Sequence, residues 1–248
     1  MRLGRPITIT DGVFQIRVLG ARVTVLMQNG AAILVDAGLW GSQGLILNGL
    51  ESLGLSREHL RMVVVTHAHP DHSGGLGGLV QETGISVGAH KLEADIIEGR
   101  VMPPSPLQSR LVGRITQPAF SKLMGAPVPV NERLEDGDVI PFGTEVRVVH
   151  MPGHTVGSIA LHLPRKKTII VGDALQYKLA RRLTPPAPGV TLDPQMAMSS
   201  LEKLLDLEFD TICFSHFPPM RKGGALALRA LLRQQSSEGC FAARGSAA

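Results

Sequence analysis

The chain of 248 residues predicts a mixed α/β fold. Short apolar runs of strand length alternate with stretches of helical period. Four of those runs end, on their C-terminal side, in a histidine or an aspartate. No fixed-period repeat and no linker interrupts the order, so one domain covering residues 1–248 is expected.

The start reads as a β-meander. Val13 to Val18, Arg22 to Gln28 and Ala31 to Asp36 alternate or run apolar, with Gly20 and Asn29-Gly30 as turns. Asn-Gly is a strong two-residue hairpin signal because both positions tolerate positive φ. Ser42 to Leu53 reads as a helix with Leu45, Leu47, Leu50 and Leu53 as its apolar positions. Met62-Val63-Val64-Val65 is a buried strand, and the small residues from Gly74 to Gly78 suit a helix packed close to whatever the preceding loop builds. Glu145 to Val149 and Ser158 to Leu163 are strands, and Arg165-Lys166-Lys167 after Pro164 is a solvated hairpin turn. Thr168 to Val171 and Thr211 to Phe214 are further strands. Asp193-Pro194 is a helix start, an N-cap followed by proline at the first helical position, with Met198, Leu201, Leu204 and Leu205 on the buried face. A last helix covers about Ala225 to Arg233, and the small polar tail from Ser236 is expected to fray.

The chemistry is concentrated in His67-Ala68-His69-Pro70-Asp71-His72. Alternate side chains of an extended segment face one way, so His67 and His69 can reach one ion together. The turn at Pro70 swings Asp71 and His72 toward a neighbouring position. Imidazole and carboxylate are ligands that suit zinc and similar divalent ions. His154, Asp173 and His216 follow the other three strand-like runs, and strand ends gathered on one sheet edge are where α/β proteins build sites. Seven donors exceed what one tetrahedral ion uses, so two metals are favoured over one.

With these residues in place the chain resembles the metallo-β-lactamase fold hydrolases, of the glyoxalase II-like and lactonase-like kind, through nearly its whole length. The family's His-x-His-x-Asp-His signature stands as His67, His69, Asp71 and His72, its following histidine as His154, its bridging aspartate as Asp173 and its last histidine as His216. The resemblance implies an α+β fold, a four-layer αβ/βα sandwich. It implies that His67, His69 and His154 hold a first metal, that Asp71, His72 and His216 hold a second, and that Asp173 bridges them. The ions are expected to be zinc, with iron or manganese as alternatives. A metal-bridged hydroxide then attacks an ester, thioester or lactone carbonyl, with Asp71 orienting the nucleophile. The resemblance also reads Asp36 as orienting a ligand histidine; a plain turn aspartate before glycine is the alternative.

Several branches remain open. β-Lactamases of this fold usually carry cysteine at the position of Asp173. Glyoxalase II-like thioesterases share all seven donors but extend well past the last histidine, whereas 32 residues follow His216 here. Lactonases use a tyrosine shortly after the bridging aspartate, and Tyr177 lies four residues after Asp173. Iron-dependent sulfur dioxygenases use the same motif with a single iron. Diiron oxygen-reducing relatives carry glutamate where His69 stands, and a non-catalytic binding protein is disfavoured by the complete donor set.

Composition narrows the partners. The net charge is +4 with one Trp, one Tyr and seven Phe, no aromatic-rich basic stripe, and no space for a nuclease clamp, so nucleic acid is not expected. No apolar run reaches membrane-spanning length and the N-terminus lacks a signal-peptide core, so a cytoplasmic protein is expected. Cys213 and Cys240 are too few for a disulfide framework, and Cys213 reads as a core residue. His59, His90, His150 and His162 read as structural. A small-molecule substrate is expected, its identity and the oligomeric state open. Met102 to Val130, with six prolines and an amphipathic piece at Leu107, Leu111 and Ile115 flanked by Arg110 and Arg114, reads as a lid insert. Ala174 to Pro188 reads as a pocket rim in which Lys178, Arg181 and Arg182 suit a carboxylate or phosphate and Tyr177 donates a hydrogen bond to the oxyanion or leaving group; a solvated loop is the alternative.

Overall fold

Two β-sheets lie face to face with helices on both outer sides, in a computed structural model that describes residues 2–104, 123–177 and 182–245, the last ten of these as backbone. The first sheet has seven strands in chain order: β1 Pro6–Thr10, β2 Val13–Arg17, β3 Arg22–Gln28, β4 Ala31–Val35, β5 Leu60–Val65, β6 Ser86–His90 and β7 Glu132–Leu134. It is antiparallel from β1 to β4 and parallel from β4 to β7. The second sheet is built from β8 Val139–Pro141, β9 Glu145–His150, β10 Ile159–Leu163, β11 Thr168–Ile170 and β14 Thr211–Cys213, in the order β14-β11-β10-β9-β8. Between β11 and β14 a small hairpin pairs β12 Gln176–Tyr177 with β13 Leu183–Thr184.

The alternation of side chains along each strand generates the layers. On β4, Ala32 and Leu34 enter a core shared with the helices α1 Gln43–Glu51, α3 Leu76–Thr83 and α4 Lys91–Ile97, while Ile33 and Val35 enter the core between the sheets. On β5, Val63 and Val65 face the helices and Val64 faces the other sheet. On the second sheet Leu161, Ile170 and Cys213 fill the inter-sheet core, whereas Ala160, Ile169 and Ile212 pack outward against the helices α5 Pro194–Glu202 and α6 Gly224–Gly245. This is the αβ/βα sandwich. Each fully buried Leu, Ile or Val contributes about 1.5–3 kcal/mol relative to exposure.

The local signals act as expected. Asn29 and Gly30 both have positive φ, 50° and 72°, closing the β3–β4 hairpin with Gln28 opposite Ala31. Asp193 caps α5 by accepting from Met196 N at 2.9 Å, with Pro194 in the first turn. Cys213 is buried between the sheets, and burial pushes its thiol up to about 12.

Other expectations need correction. The meander begins one strand earlier than expected, at β1, where Ile7 and Ile9 alternate with Thr8 and Thr10. Lys166 is more than solvated, since it donates to Asp11 O at 2.7 Å and so ties the β10–β11 turn to the first sheet. The glycines after His72 are small because of the backbone after β4: a Cβ on Gly75 would stand 2.2 Å from Ala37 O, and one on Gly74 3.0 Å from Trp40 N. The last helix runs beyond the expected Arg233, to Gly245; no proline interrupts it. Residues 105–122, the middle of the expected lid, lie outside the described residues. Among the described residues no helix is long and apolar enough to cross a membrane.

The sheets are stitched together at one end. Ile159 N donates to Thr66 O at 2.9 Å, Arg22 N to Ser215 O at 2.7 Å, and the Gln15 side chain to Phe214 O at 3.1 Å. Those bonds hold the C-terminal ends of β5 and β14 to one rim, and β11 runs parallel beside β14.

Candidate metal centre

Each donor reaches this rim by a separate device. β5 runs through Thr66 into His67, and His69 then precedes the four-residue helix α2 Pro70–Ser73, whose proline at the first position turns Asp71 and His72 back over the strand end. His154 lies in the β9–β10 loop behind Gly153, at φ 132°, where a Cβ would stand 2.2 Å from Ala197 N. Only glycine lets that loop lie on the first turns of α5. Gly172, at φ 52°, turns the chain after β11 against Thr66 and delivers Asp173. His216 follows β14 by three residues.

The seven donors converge. His67 Nε2 and His154 Nε2 each stand 3.1 Å from His69 Nδ1. His216 Nε2 stands 3.3 Å from Asp71 Oδ2, and His72 Nε2 3.9 Å from the same oxygen. Asp173 faces both groups: its Oδ2 is 3.6 Å from His154 Nε2 and 3.2 Å from His216 Nε2, and its Oδ1 is 3.7 Å from His72 Nε2. Ligands about 2.0–2.1 Å from one tetrahedral ion stand about 3.3 Å apart, so these separations match donors around shared ions. Donor triads within 4.8 Å are His67–His69–His154, His67–His72–Asp173 and Asp71–His72–His216.

The other face of each ring sets its tautomer. His72 Nδ1 donates to Asp36 Oδ2 at 2.8 Å, and His216 Nδ1 donates to Gly20 O at 3.0 Å. In the neutral ring, the ligating form, each of these bonds keeps the proton on Nδ1 and leaves Nε2 facing the centre. His72 Nε2 is fully buried without a hydrogen-bond partner among the described residues. An orphaned imidazole nitrogen aimed at carboxylates is what a metal ligand looks like without its ion. The donor set therefore fits divalent metal.

Charge divides the two groups. Burial, then the neighbouring imidazoles, holds His67 well below its ordinary value and His69 down to about 3. Burial also lowers His154, against the pull of Asp173. Neutral imidazole is the ligating form. For His72 burial works downward but Asp36 and Asp173 outweigh it, and His216 is likewise raised by Asp173 against burial. Burial would raise Asp173, yet His72 and His216 hold it well below the carboxylate range.

Asp36, at φ 67° directly after β4, accepts from Thr66 N at 2.8 Å, Thr66 Oγ1 and Ser215 Oγ as well as from His72. It is at once the turn aspartate and the group that orients a candidate ligand. Sequence reasoning missed Glu93. This α4 carboxylate, 1% exposed, accepts from Ala68 N at 2.8 Å, Thr155 Oγ1 at 2.7 Å and Gly157 N at 2.7 Å. It clasps the loops that carry His67, His69 and His154. Tyr177, partly buried against the outer core, stacks its ring on Phe214 with centroids 5.6 Å apart. The remaining histidines have structural partners: His59 with Ser56, His150 with Val156 O, His162 with Glu208 O, and His90 stacked on His150. Lys178 and Arg181 lie outside the described residues, and Arg182 is exposed.

Comparison with known proteins agrees with this geometry. Residues 17–216 match the metallo-beta-lactamase superfamily. The chain belongs to that family. It is 30% identical over 202 residues to a probable metallo-hydrolase, YflN, of Bacillus subtilis, covering 76% of each chain. It is 30% identical over 203 residues to a hydroxyacylglutathione hydrolase of Cereibacter sphaeroides, covering 78% of this chain but 64% of that relative. Human acyl-coenzyme A thioesterase MBLAC2 is 29% identical over 187 residues, 68% of this chain and 65% of the relative. Among solved structures, a metallo-beta-lactamase family protein of Thermus thermophilus superposes with a TM-score of 0.69 at 22% identity, covering 93% of this chain and 81% of that one. A subclass B3 metallo-beta-lactamase of Bradyrhizobium japonicum gives 0.69 at 19% identity, covering 98% and 96%. At such identities the superpositions establish the fold. The family is one of hydrolases, and this member retains a histidine–aspartate cluster that can bind metal.

Proposed function

We propose that this family member is a two-metal hydrolase of a small, anionic thioester or ester, a lactone being the nearest alternative. The observation that carries the reading is Asp173 within 3.2–3.7 Å of donors from both groups. In this reading His67, His69 and His154 hold one ion, Asp71, His72 and His216 the other, and Asp173 both. Zinc suits the nitrogen–oxygen donor set best, while iron and manganese accept the same ligands. When bound, such ions lower the pKa of water toward neutrality and polarise the scissile carbonyl. Asp71, half-exposed at the mouth, orients the attacking water. Asp36 and the Gly20 carbonyl keep His72 and His216 in the ligating tautomer, and Glu93 keeps the His67–His69 and His154 loops in register. Thioesters are favoured because relatives are named as a hydroxyacylglutathione hydrolase and an acyl-coenzyme A thioesterase.

Metal analysis of protein purified without added metal, followed by a panel of thioesters, esters and lactones, tests the proposal. Two zinc ions per chain with thioester turnover is the expected result. One iron per chain with oxygen consumption would replace it with the sulfur dioxygenase reading. Tyr177 belongs to the proposal as a hydrogen-bond donor to the oxyanion or leaving group. Tyr177→Phe, which preserves the stack on Phe214, is then expected to lower kcat by roughly 100-fold or more, as loss of an oxyanion donor does; a kcat within about threefold of wild type would remove that role.

A further inference from the structure

The loop that carries His154 is fastened from its other side by the segment leading into α5. Leu192 N donates to His154 O at 3.2 Å, and Asp193 N to Gly153 O at 2.9 Å. The residue before them, Thr191, is fully buried although Val190 and Leu192 on either side are exposed. A buried hydroxyl needs partners, and Thr191 has two. It donates to Ala187 O at 2.9 Å and stands 3.4 Å from His154 Nδ1. With its one proton committed to the carbonyl, the oxygen has only lone pairs left for the ring. His154 Nδ1 is therefore the donor, and Nε2 is left on the side of the centre, 3.1 Å from His69 Nδ1. Thr66 repeats the arrangement on a second ring of the same group: its hydroxyl donates to Asp36 at 2.9 Å and stands 3.1 Å from His67 Nδ1. The turn around Ala187 closes on itself, with Val190 N bonded to Ala187 O and Thr191 N to Pro188 O. The hydroxyl is thus aimed by the segment after β13 and not by the loop that bears the ring.

We propose that Thr191 is a positioning residue of the first metal site: its hydroxyl holds His154 with the proton on Nδ1 and so keeps Nε2 as the ligating atom. The proposal rests on the reading above in which His67, His69 and His154 hold one ion. A ring free to exchange its tautomer or to rotate places a proton or a carbon, for part of the time, where the ion should sit. Supporting partners of this kind command about 10–100-fold in metal affinity. The turn from Ala187 to Thr191 then connects the pocket rim to the first ion, as Asp36 and the Gly20 carbonyl serve the second.

Two measurements test the role: zinc affinity, by competition with a chromophoric chelator, and the Nδ1–H resonance of His154 in zinc-loaded, 15N-histidine-labelled protein. Thr191→Val keeps the shape of the side chain and removes the hydroxyl. One of the two zinc affinities is expected to fall about 10–100-fold, and the His154 Nδ1–H signal to move upfield as its acceptor is lost. Thr191→Ser, which restores the hydroxyl, is expected to bring both back toward wild type. A threonine that only fills space gives the reverse pattern, with valine tolerated in both measurements and serine lowering the melting temperature. Equal zinc affinities in wild type, Thr191→Val and Thr191→Ser overturn the proposal and leave the two-metal reading standing. Protein that takes up no zinc overturns that reading and this proposal with it. Should Thr191→Val fail to fold, the wild-type spectrum decides. An Nδ1–H at the downfield position of a hydrogen-bonded proton, in cross-relaxation contact with the Thr191 side chain, supports the bond, and the lack of either overturns it.

Discussion

The two halves of the candidate centre are held by opposite strategies. The His67, His69 and His154 group is buried at His67 and His154 and held neutral, and the nearby carboxylate, Glu93, binds loop backbone and a threonine hydroxyl rather than an imidazole. The Asp71, His72 and His216 group is charged and partly open, with His216 exposed, and its nearby carboxylate, Asp36, binds a donor ring directly. The carboxylate of one half acts through loops and that of the other through the tautomer of a ring. Loss of Glu93 should therefore register in folding, and loss of Asp36 in metal affinity.

The largest effects come from breaking what the halves share. Asp173→Ala removes the carboxylate within reach of both groups, so metal content is expected to fall on both sides and hydrolysis to drop beyond the roughly 100-fold that supporting residues command. His67→Ala should empty one side while leaving residual metal on the other. His90→Ala, outside the cluster, should keep its metal. Full activity with unchanged metal in either of the first two variants, read by elemental analysis, removes the assignment.

Asp36→Asn and Glu93→Ala separate the strategies. Asparagine tolerates the positive φ at position 36, and its oxygen stays with Thr66 N. Its amide then faces His72 Nδ1, which must accept, leaving the proton on Nε2 where the ion should bind. Affinity for the second ion is expected to fall about 10–100-fold. Glu93→Ala strands the Ala68 and Gly157 N–H groups at about 1–3 kcal/mol each. Metal-free protein should melt at least about 5 °C lower. Calorimetry of both variants with and without metal decides it; the same melting loss in the two would erase the distinction.

The difference in legibility has the same root. Four of the seven donors fall within six residues, and the others each close a run of apolar residues, so local pattern was enough to find them. The layers followed from strand alternation once the family resemblance supplied the sandwich. Glu93 left no such trace. It reads as one more charge in Lys91-Leu92-Glu93 on an amphipathic helix, and its partners lie 25, 62 and 64 positions away in sequence. Thr191 looks like one more residue of the loop before Asp193-Pro194 until the turn sets its hydroxyl on a ring 37 positions away. β12 and β13, two residues each, carry too little periodicity to register at all.

The smallest expected effect concerns a histidine that the centre does not use. His90 caps α4 by accepting from Leu92 N through Nδ1, stacks on His150 at 4.1 Å, and is pushed down to about 4, mainly by burial. Its folded value is depressed relative to the unfolded chain, so the unfolded state takes up the proton first as pH falls. The stability it contributes is full above about pH 6.5 and is lost as pH drops through about 4. The donor histidines also titrate, so a falling Tm in wild type is not by itself diagnostic. The difference between wild type and His90→Gln is. It should be constant above about pH 6.5 and change in favour of the variant between there and about pH 4, because glutamine has no proton to gain. A difference that stays flat across that window would mean that His90 is not held neutral by its surroundings. The buried half of the molecule beside Glu93 would then be less dry than the neutral histidine group requires.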